Sequence, residues 1–247
     1  MFNTTKALVL REVRYKEADR ILTLLSDSDG KLTAKARGAL RKSSRTAAAT
    51  QQLTYSELTL FGNRGKWTVN EGSVIEGFDG LRSDIEAFSL GSYFAECLEA
   101  LSVEDQPDDA LMQLGLNSLY ALSKKLYPAR HIKAAFELRL MCLAGYAPDL
   151  DACAACGGEP ENPVLSLRDG RVYCRSCPHS GGTAPLCRQS LEAMRYIIAA
   201  PPKKLFSFRL DAEALDRLST AAELYLLQQT ERRFGTLEYY KQITISG

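Results

Sequence analysis

Four cysteines, arranged as two Cys-x-x-Cys pairs, constrain the fold of this chain more than any other feature. Cys153 and Cys156 form the first pair, and Cys174 and Cys177 form the second. The stretch between the pairs has the length of about 15 to 20 residues that is typical of zinc sites. Two such pairs supply four thiolates, which close a tetrahedral shell and leave no position for water. The pattern therefore predicts one structural Zn²⁺ rather than a catalytic ion.

The cysteine usage and the amino-terminal residues fit a reducing compartment. No apolar run approaches the roughly 18 residues of a membrane span, and the first residues lack the layout of a secretion signal. We therefore expect a cytoplasmic, nucleoid-associated protein, in which paired cysteines favour metal over disulfides. Cys97 and Cys142 lie in apolar helical patterns and are expected in the core, whereas Cys187 is a weaker candidate for a spare ligand.

Charge is distributed unevenly along a chain whose formal net charge is only +1. Residues 31–66 contain eight cationic residues and one acidic residue, whereas residues 81–127 contain three cationic and eight acidic residues. This distribution indicates a polyanionic partner for the first part of the chain and a different partner for the second.

Residues 1–80 read as five short β-strands. In the third strand, Leu32, Ala34 and Ala36 alternate with cationic or polar residues, so one face is predicted to be core and the other cationic. The stretch 62–65 reads as a hairpin loop between the last two strands. Five strands without a long helix between the first three predict an OB-type barrel, which commonly binds oligonucleotides. A five-stranded SH3-like barrel would fit the strand count as well.

The pattern becomes helical after Phe78. Ser83 and Glu86 form a capping-box signature at the start of the first helix. Further helices are predicted over residues 108–127, 129–144, 190–199 and 211–234. Gly235 is expected to end the last of these helices.

These patterns predict an α+β protein with two domains. Residues 1–80 would form an OB-fold β-barrel that binds nucleic acid, and residues 81–247 would form an all-α domain. The four-cysteine zinc module would be inserted into the helical domain at about residues 150–182.

The basic part of the chain, residues 31–66, has the composition of a surface that binds nucleic acid. Its cations continue beyond the third strand and are joined by those of the last hairpin; they are Lys35, Arg37, Arg41, Lys42, Arg45, Arg64 and Lys66. Phosphates require cations along their track, and unpaired bases require a flat side chain. Trp67 and Tyr55 are the nearby aromatic candidates for base stacking, although each of them considered alone is more typical of a core residue. No residue stands out as a reader of base edges, so little sequence specificity is expected.

No constellation of catalytic residues is found in the sequence. The motifs of zinc proteases, phosphate-binding loops, dinucleotide-binding folds and serine hydrolases are missing. His131 is expected at a helix start in a surface or capping role, and His179 is a weaker alternative to a cysteine ligand. The protein is therefore predicted not to be an enzyme.

The chain resembles the RecO family of bacterial recombination mediators over most of its length. The blocks that carry the resemblance are Leu10-Arg11, Tyr15–Asp19, Leu24–Ser26 with Gly30, Ala36–Gly38 with Arg41–Arg45, Phe136–Arg139, and Gly145–Leu150 running into Cys153. The last block is the most specific, because it passes directly into a Cys-x-x-Cys pair. The resemblance implies an amino-terminal OB fold, a helical domain and a zinc module between helices.

The resemblance also implies a function and a set of partners. Such a protein would bind single- and double-stranded DNA, anneal complementary strands and, with RecR, assist the loading of RecA onto strands coated by single-strand binding protein (SSB). Its DNA contacts would be Lys35, Arg37, Arg41, Lys42 and Arg45. The groove argument adds Arg64 and Lys66. Candidates for holding the acidic, apolar-ended tail of SSB are Arg130, Lys133 and Arg139, which share part of a helix face.

Two other functions are compatible with the cysteine pattern. A zinc-ribbon factor that processes RNA would require a catalytic group that the sequence does not reveal. A thiol redox sensor would release zinc when its cysteine pairs are oxidised. Neither accounts for the basic barrel as well as DNA binding does.

Overall fold

The computed structural model describes residues 2–63 and 65–246, of which Ile245 and Ser246 are described only as helical backbone. The first five strands are β1 Phe2–Tyr15, β2 Asp19–Ser26, β3 Gly30–Ala36, β4 Tyr55–Asn63 and β5 Lys66–Glu76. They close into a barrel in the order β1-β2-β3-β5-β4, with β4 pairing back onto β1. A closed five-stranded barrel of this kind is OB-like, which confirms the predicted fold.

The barrel closes because β1 is long and irregular. From Phe2 to Leu8 it pairs with β4, and from Ala7 onward it pairs with β2. The register with β2 shifts between Val9 and Arg11, and a bulge of this type bends a strand and increases its twist. One strand can therefore hydrogen-bond to two neighbours at an angle to each other.

Alternate residues of the strands fill the barrel interior. Leu32, Ala34 and Ala36 point inward, as the alternation in the third strand predicts. The same core cluster contains Ala7, Val9, Leu22, Leu24, Leu58, Leu60 and Val69. Because side chains occupy the interior, a ligand has access to the outer face and the loops only.

The rest of the described chain is mainly helical. Its helices are α1 Asp79–Arg82, α2 Ile85–Leu101, α3 Asp109–Ser123, α4 Ala129–Leu143, α5 Arg188–Ala199, α6 Ala212–Thr230 and α7 Gly235–Ser246. The predicted α+β class, a barrel followed by helices, is therefore confirmed. None of the helices within the described residues is both long and apolar enough to cross a membrane.

The helix boundaries correct two predictions. Asp84, not Ser83, caps α2: its carboxylate accepts a hydrogen bond from the N–H of Ala87 at 3.1 Å. The predicted helix over residues 211–234 ends earlier, at Thr230, because Glu231 adopts a left-handed conformation with φ of 50°. Gly235 was expected to end a helix and instead begins α7.

The described residues form two compact units. The first contains the barrel, α1–α3 and α7, and the second spans Lys125–Arg233. In the first unit α7 packs against α2, and the ring of Phe234 lies 5.8 Å from that of Tyr93 between centroids. In the second unit α4 packs against α5 and α6. The functional division between residues 1–80 and 81–247 stays a prediction.

The cysteine module contains a small antiparallel sheet that the sequence patterns did not predict. Its strands are β6 Pro163–Ser166, β7 Val172–Cys174 and β8 Thr183–Pro185, in the order β7-β6-β8. Cys174 is the last residue of β7, so the sheet fixes the start of the second cysteine pair at the end of a hydrogen-bonded strand.

Candidate nucleic-acid interface and metal centre

The segment between β3 and β4 carries most of the predicted DNA contacts, and the barrel holds it in place. The N–H of Leu40 donates to the carbonyl of Ala18 at 2.9 Å, and the N–H of Gly38 donates to Asp19 Oδ1 at 2.8 Å. Gly38 has a φ of 64°, a left-handed conformation that glycine adopts without steric cost. These contacts fasten the start of the segment to the turn between β1 and β2.

Four cations of this segment are exposed: Arg37, Arg41, Lys42 and Arg45. Among the residues that the structure describes, no carboxylate forms an ion pair with any of them. Cations without internal partners keep their full charge for an external anion. The structure thus brings together four of the predicted DNA contacts at one end of the barrel.

Lys35 lies at the same end but has an internal partner. Its ammonium nitrogen is 2.8 Å from Asp19 Oδ2 and 4.8 Å from the centroid of the Tyr15 ring. The hydrogen bond from Lys35, together with that from the Gly38 N–H, holds the pKa of Asp19 below its usual value. Asp19 therefore stays ionised and offsets part of the charge of Lys35.

The last hairpin contributes Lys66 to this side of the barrel. β3 and β5 run parallel, and Lys35 on β3 lies opposite Thr68 on β5. Side chains two residues apart on a strand project from the same face, so the exposed side chain of Lys66 shares the face of Thr68 and Lys35. Arg64, the other predicted contact of the hairpin, lies outside the described residues.

The two aromatic residues considered for base stacking have other roles. The Trp67 ring packs against the barrel core and covers Gly62 so closely that a Cβ on this glycine would lie 2.7 Å from it. Tyr55 is half-buried, and desolvation raises its pKa. The Trp67 ring is engaged with the barrel core, as its core interpretation predicts, whereas Tyr55 is only partly buried.

Arg20 is a positioning residue that the sequence reasoning missed. Its buried guanidinium donates to the carbonyl of Ala47 at 2.9 Å and to Thr50 Oγ1 at 3.0 Å, and its Nε lies 3.4 Å from Glu12 Oε2. These bonds fasten the end of the basic segment to β2. A cation directly before the largely apolar part of β2 was the sequence signal that could have revealed it.

The four cysteines of the predicted metal site converge, with all four sulfur atoms within 4.8 Å of one another. A tetrahedral shell with metal–sulfur bonds of about 2.3 Å separates sulfurs by about 3.8 Å. The distance of 3.9 Å between Sγ of Cys156 and Sγ of Cys174 agrees with this value. The cluster could therefore hold a metal ion.

The backbone around the cysteines suits thiolate ligands. The N–H of Cys174 points to Sγ of Cys153 at 3.3 Å, and the N–H of Glu161 points to Sγ of Cys174 at 3.3 Å. The N–H of Gly157, whose φ is 73°, donates to the Cys153 carbonyl at 2.8 Å and closes the first turn. Donors directed at sulfur stabilise the deprotonated form that a metal requires.

The thiols of this cluster cannot all ionise without a cation. Backbone N–H groups of Cys156 and Cys174 lower the pKa of Cys153 to about 6. The neighbouring sulfur of Cys153 raises the pKa of Cys177 to about 12. Four adjacent thiolates therefore need a bound cation, which fits a metal centre.

The two weaker candidates for ligands lie outside the cluster. Sγ of Cys187 accepts from the N–H of Ser190 at 3.5 Å and caps α5. Nδ1 of His179 lies 2.8 Å from the carbonyl of Cys177, and its ring lies 5.8 Å from that of Tyr173. Neither side chain belongs to the group of sulfur atoms.

Comparison with known proteins identifies the family of the chain. The family model described as Recombination protein O N terminal matches residues 1–78, and that described as Recombination protein O C terminal matches residues 82–238. The chain belongs to the RecO family. Members of this family are DNA repair and recombination proteins.

Relatives in the RecO family cover nearly the whole chain. The DNA repair protein RecO of Acetivibrio thermocellus is 34 % identical over 97 % of this chain and 96 % of the relative. Those of Symbiobacterium thermophilum and Desulforudis audaxviator are each 32 % identical, over 94 % and 98 % of this chain and the same shares of the relatives.

The candidates for an SSB contact in this RecO family member are engaged in internal contacts. Lys133 is buried, and its ammonium nitrogen lies 2.8 Å from both Glu137 and Glu223, so it cannot serve as an exposed cation. Burial alone would lower the pKa of Lys133, but these carboxylates hold it above its usual value. The prediction that Lys133 holds the SSB tail does not fit this buried, doubly paired ammonium group.

The other two candidates differ in exposure. Arg139 donates to the carbonyls of Ile197 and Ala200 at the end of α5, where a cation interacts favourably with the helix dipole. Arg130 forms an exposed ion pair with Asp216. Arg130 alone of the three is exposed enough to bind a partner.

His131 is buried in an aromatic cluster, not at the surface as predicted. Its ring stacks on those of Tyr127 and Phe208, and Nε2 lies 3.0 Å from the carbonyl of Phe206. Burial lowers the pKa of His131, partly offset by the hydrogen bond to Phe206. The position of His131 at the start of α4 was predicted correctly, but the burial of its side chain was not.

A groove of about 350 Å³ runs along α5 in the second unit. Its walls combine the cations Arg188 and Arg209 with the aromatic rings of Tyr196 and Phe208. Glu192 also lines the groove and is paired with Arg195 at 2.9 Å. This arrangement offers apolar contacts and positive charge together.

Proposed function

We propose that the protein is a non-enzymatic recombination mediator that binds single- and double-stranded DNA and anneals complementary strands. One observation carries the proposal: a segment with four exposed, unpaired cations is hydrogen-bonded onto the β1–β2 turn of an OB-like barrel. Phosphates that bind such cations release condensed counterions, which is the main source of affinity for DNA. Membership of the RecO family supports this function.

The proposed DNA contacts are Lys35, Arg37, Arg41, Lys42, Arg45 and Lys66, together with Arg64 in the hairpin. Their role is charge neutralisation. Two strands repel each other until cations neutralise their phosphates, after which base pairing can find its register. Because phosphate contacts carry no sequence information, annealing should not depend on sequence.

The proposed partners are RecR and SSB, and through them RecA. Relatives that carry the name DNA repair protein RecO support a place in DNA repair. Loading RecA requires access to strands that SSB already covers, so the protein must contact both DNA and SSB. Such a protein would act in the cytoplasm at the nucleoid.

The groove along α5 is the proposed contact for the acidic tail of SSB. Guanidinium groups bind carboxylates in a directed manner, and the rings of Tyr196 and Phe208 suit the apolar end of the tail. Arg188 and Arg209 would hold the carboxylates. Arg130 remains a candidate for a more distant contact on the same unit.

The metal proposed for the cysteine cluster is one structural Zn²⁺. Four thiolates in two turns form the donor set that zinc prefers for structural sites, and they leave no open position for a substrate. The bound ion would hold the two turns together. Metal binding to such a module is coupled to its folding.

Strand annealing in a salt series, with and without SSB, tests the proposed function. A mediator should anneal complementary strands, lose activity steeply as salt rises, and retain activity on SSB-coated strands. A generic cationic protein should fail on coated strands. Annealing that is absent, or that SSB abolishes at low salt, would contradict the proposal.

A further inference from the structure

Tyr15 is an exposed aromatic residue at the basic end of the barrel. It is the last residue of β1, and 43 % of its surface is exposed. Its partner on β2 is Asp19, the residue that anchors the basic segment through the N–H of Gly38. The ring therefore lies on the outer face next to the cations.

The outer face beside Tyr15 carries two apolar side chains next to the ion pair of Asp19 and Lys35. Val13 is exposed and lies opposite Ile21, which in turn lies opposite Lys35 on β3. Directly opposed residues of paired strands project from the same side of a sheet. Tyr15, Val13 and Ile21 thus form an apolar strip with a cation at its edge, which suits a base and its phosphate.

Two lysines lie over the Tyr15 ring. The ammonium nitrogens of Lys35 and Lys16 are 4.8 Å and 5.7 Å from the ring centroid. Lys16 has a φ of 55°, and this left-handed conformation turns the chain at the end of β1. Lys35 stays in its ion pair with Asp19, but exposed cation–π contacts are weak and lysine side chains are flexible, so Lys16 can turn to a phosphate when a base approaches.

The opposite end of this face is covered by α2. Arg11 donates to Glu99 Oε1 at 2.8 Å, and the ammonium of Lys31 donates to the carbonyl of Glu99 at 3.1 Å. The cations at that end are therefore occupied. A strand that binds the outer face of β1–β3 would do so at the Tyr15 end.

We propose that Tyr15 stacks on an unpaired base and thereby makes the protein bind single strands more tightly than its cations alone would. The inference rests on the proposed DNA-binding function and identifies the contact that distinguishes single from double strands. In a duplex the bases are already stacked and paired, so the ring has no base face to contact. The cations, in contrast, bind phosphates of both forms.

Anisotropy titrations of a fluorescein-labelled oligothymidylate and a blunt duplex across a salt series test this inference. Tyr15→Leu should weaken single-strand binding about tenfold at every salt concentration, because one stacked base is lost. The slope of affinity against salt should not change, because no cation is removed. Duplex binding should stay within about twofold, and Tyr15→Phe should bind both forms like the unaltered protein.

Tyr120→Leu is the matched control, because Tyr120 is 47 % exposed and has Lys124 at 5.8 Å from its ring. It should not change binding of either form. Equal losses for single strands and duplex, no loss for single strands, or a Phe variant as weak as the Leu variant would overturn the inference. If the unaltered protein binds neither form, the proposed function fails, and the role of Tyr15 fails with it.

Discussion

The carboxylate of Asp19 lies 2.8 Å from the ammonium of Lys35 at the centre of the proposed DNA surface. The same carboxylate accepts the N–H of Gly38, where the basic segment begins. The Asp19 carboxylate lowers the local positive charge. It also fixes the position of Lys35 and of the start of the basic segment at Gly38. Affinity should therefore depend on the exposed arginines that have no such partner.

Reversal of charge at two of these arginines tests the DNA surface. Arg37→Glu with Arg41→Glu should weaken DNA binding by at least tenfold and lower the slope of affinity against salt by about two. Arg232→Glu with Arg233→Glu, two exposed arginines of the second unit, is the matched control. Anisotropy measures both. Unchanged binding with intact thermal stability would refute the assignment.

Loss of the Arg20 guanidinium should free the basic segment. Arg20→Met removes its hydrogen bonds to Ala47 and Thr50 and should lower the free energy of unfolding by about 2–3 kcal/mol. Trypsin should then cleave faster after Arg41 and Lys42. Arg14→Met, an exposed control on β1, should leave both stability and cleavage unchanged. Equal cleavage rates in the two variants would show that Arg20 does not position the segment.

Removal of one cysteine of the cluster should release the metal. Cys174→Ala should eliminate stoichiometric zinc and lower the melting temperature, because metal binding is coupled to folding of the module. Cys187→Ser keeps the cap of α5 and should retain zinc. Elemental analysis of the purified protein and of both variants measures the zinc content per chain. A protein that contains no zinc before any substitution would contradict the proposed ion.

Acidification should destabilise the aromatic cluster around His131. Because burial lowers its native pKa, the unfolded chain takes up a proton first as pH falls below about 6.5. Stability from this residue is therefore complete above that pH and decreases below it, by at most about 1.4 kcal/mol per pH unit.

Urea unfolding between pH 5 and pH 8 measures this effect. His131→Gln should flatten the dependence relative to the unaltered protein, whereas His179→Gln, at the exposed histidine, should not. Identical pH profiles for the two variants would show that His131 is not responsible.

The groove along α5 should bind acidic peptides that end in an apolar residue. Arg188→Glu with Arg209→Glu should reduce the affinity for an SSB tail peptide by at least tenfold, because both lining cations are reversed. Lys203→Glu, at an exposed residue that does not line the groove, is the control. Calorimetric titration with the peptide measures the affinity of each variant. If the doubly reversed variant binds the peptide as tightly as the Lys203→Glu control does, the tail binds elsewhere.

Local patterns were sufficient to predict most of the secondary structure and the clustering of four cysteines. Alternation in β3 identified the inward side chains, and the spacing of two Cys-x-x-Cys pairs identified cysteines whose sulfur atoms converge in space. Prediction failed where two neighbouring residues had similar propensities, as with Ser83 and Asp84, both of which can cap a helix. It also failed at Glu231, since a left-handed conformation at a non-glycine residue has little sequence signal.

The sequence by itself determined that the chain has a barrel, helices, a sulfur cluster and a concentrated positive charge. Only the tertiary structure decided which of its charged and aromatic groups face solvent. Lys133 and His131 look like surface residues in sequence but are buried, while Tyr15 ends a strand on the exposed face. Burial depends on contacts between distant residues, such as Lys133 with Glu223 and Gly38 with Asp19, which local periodicity does not encode.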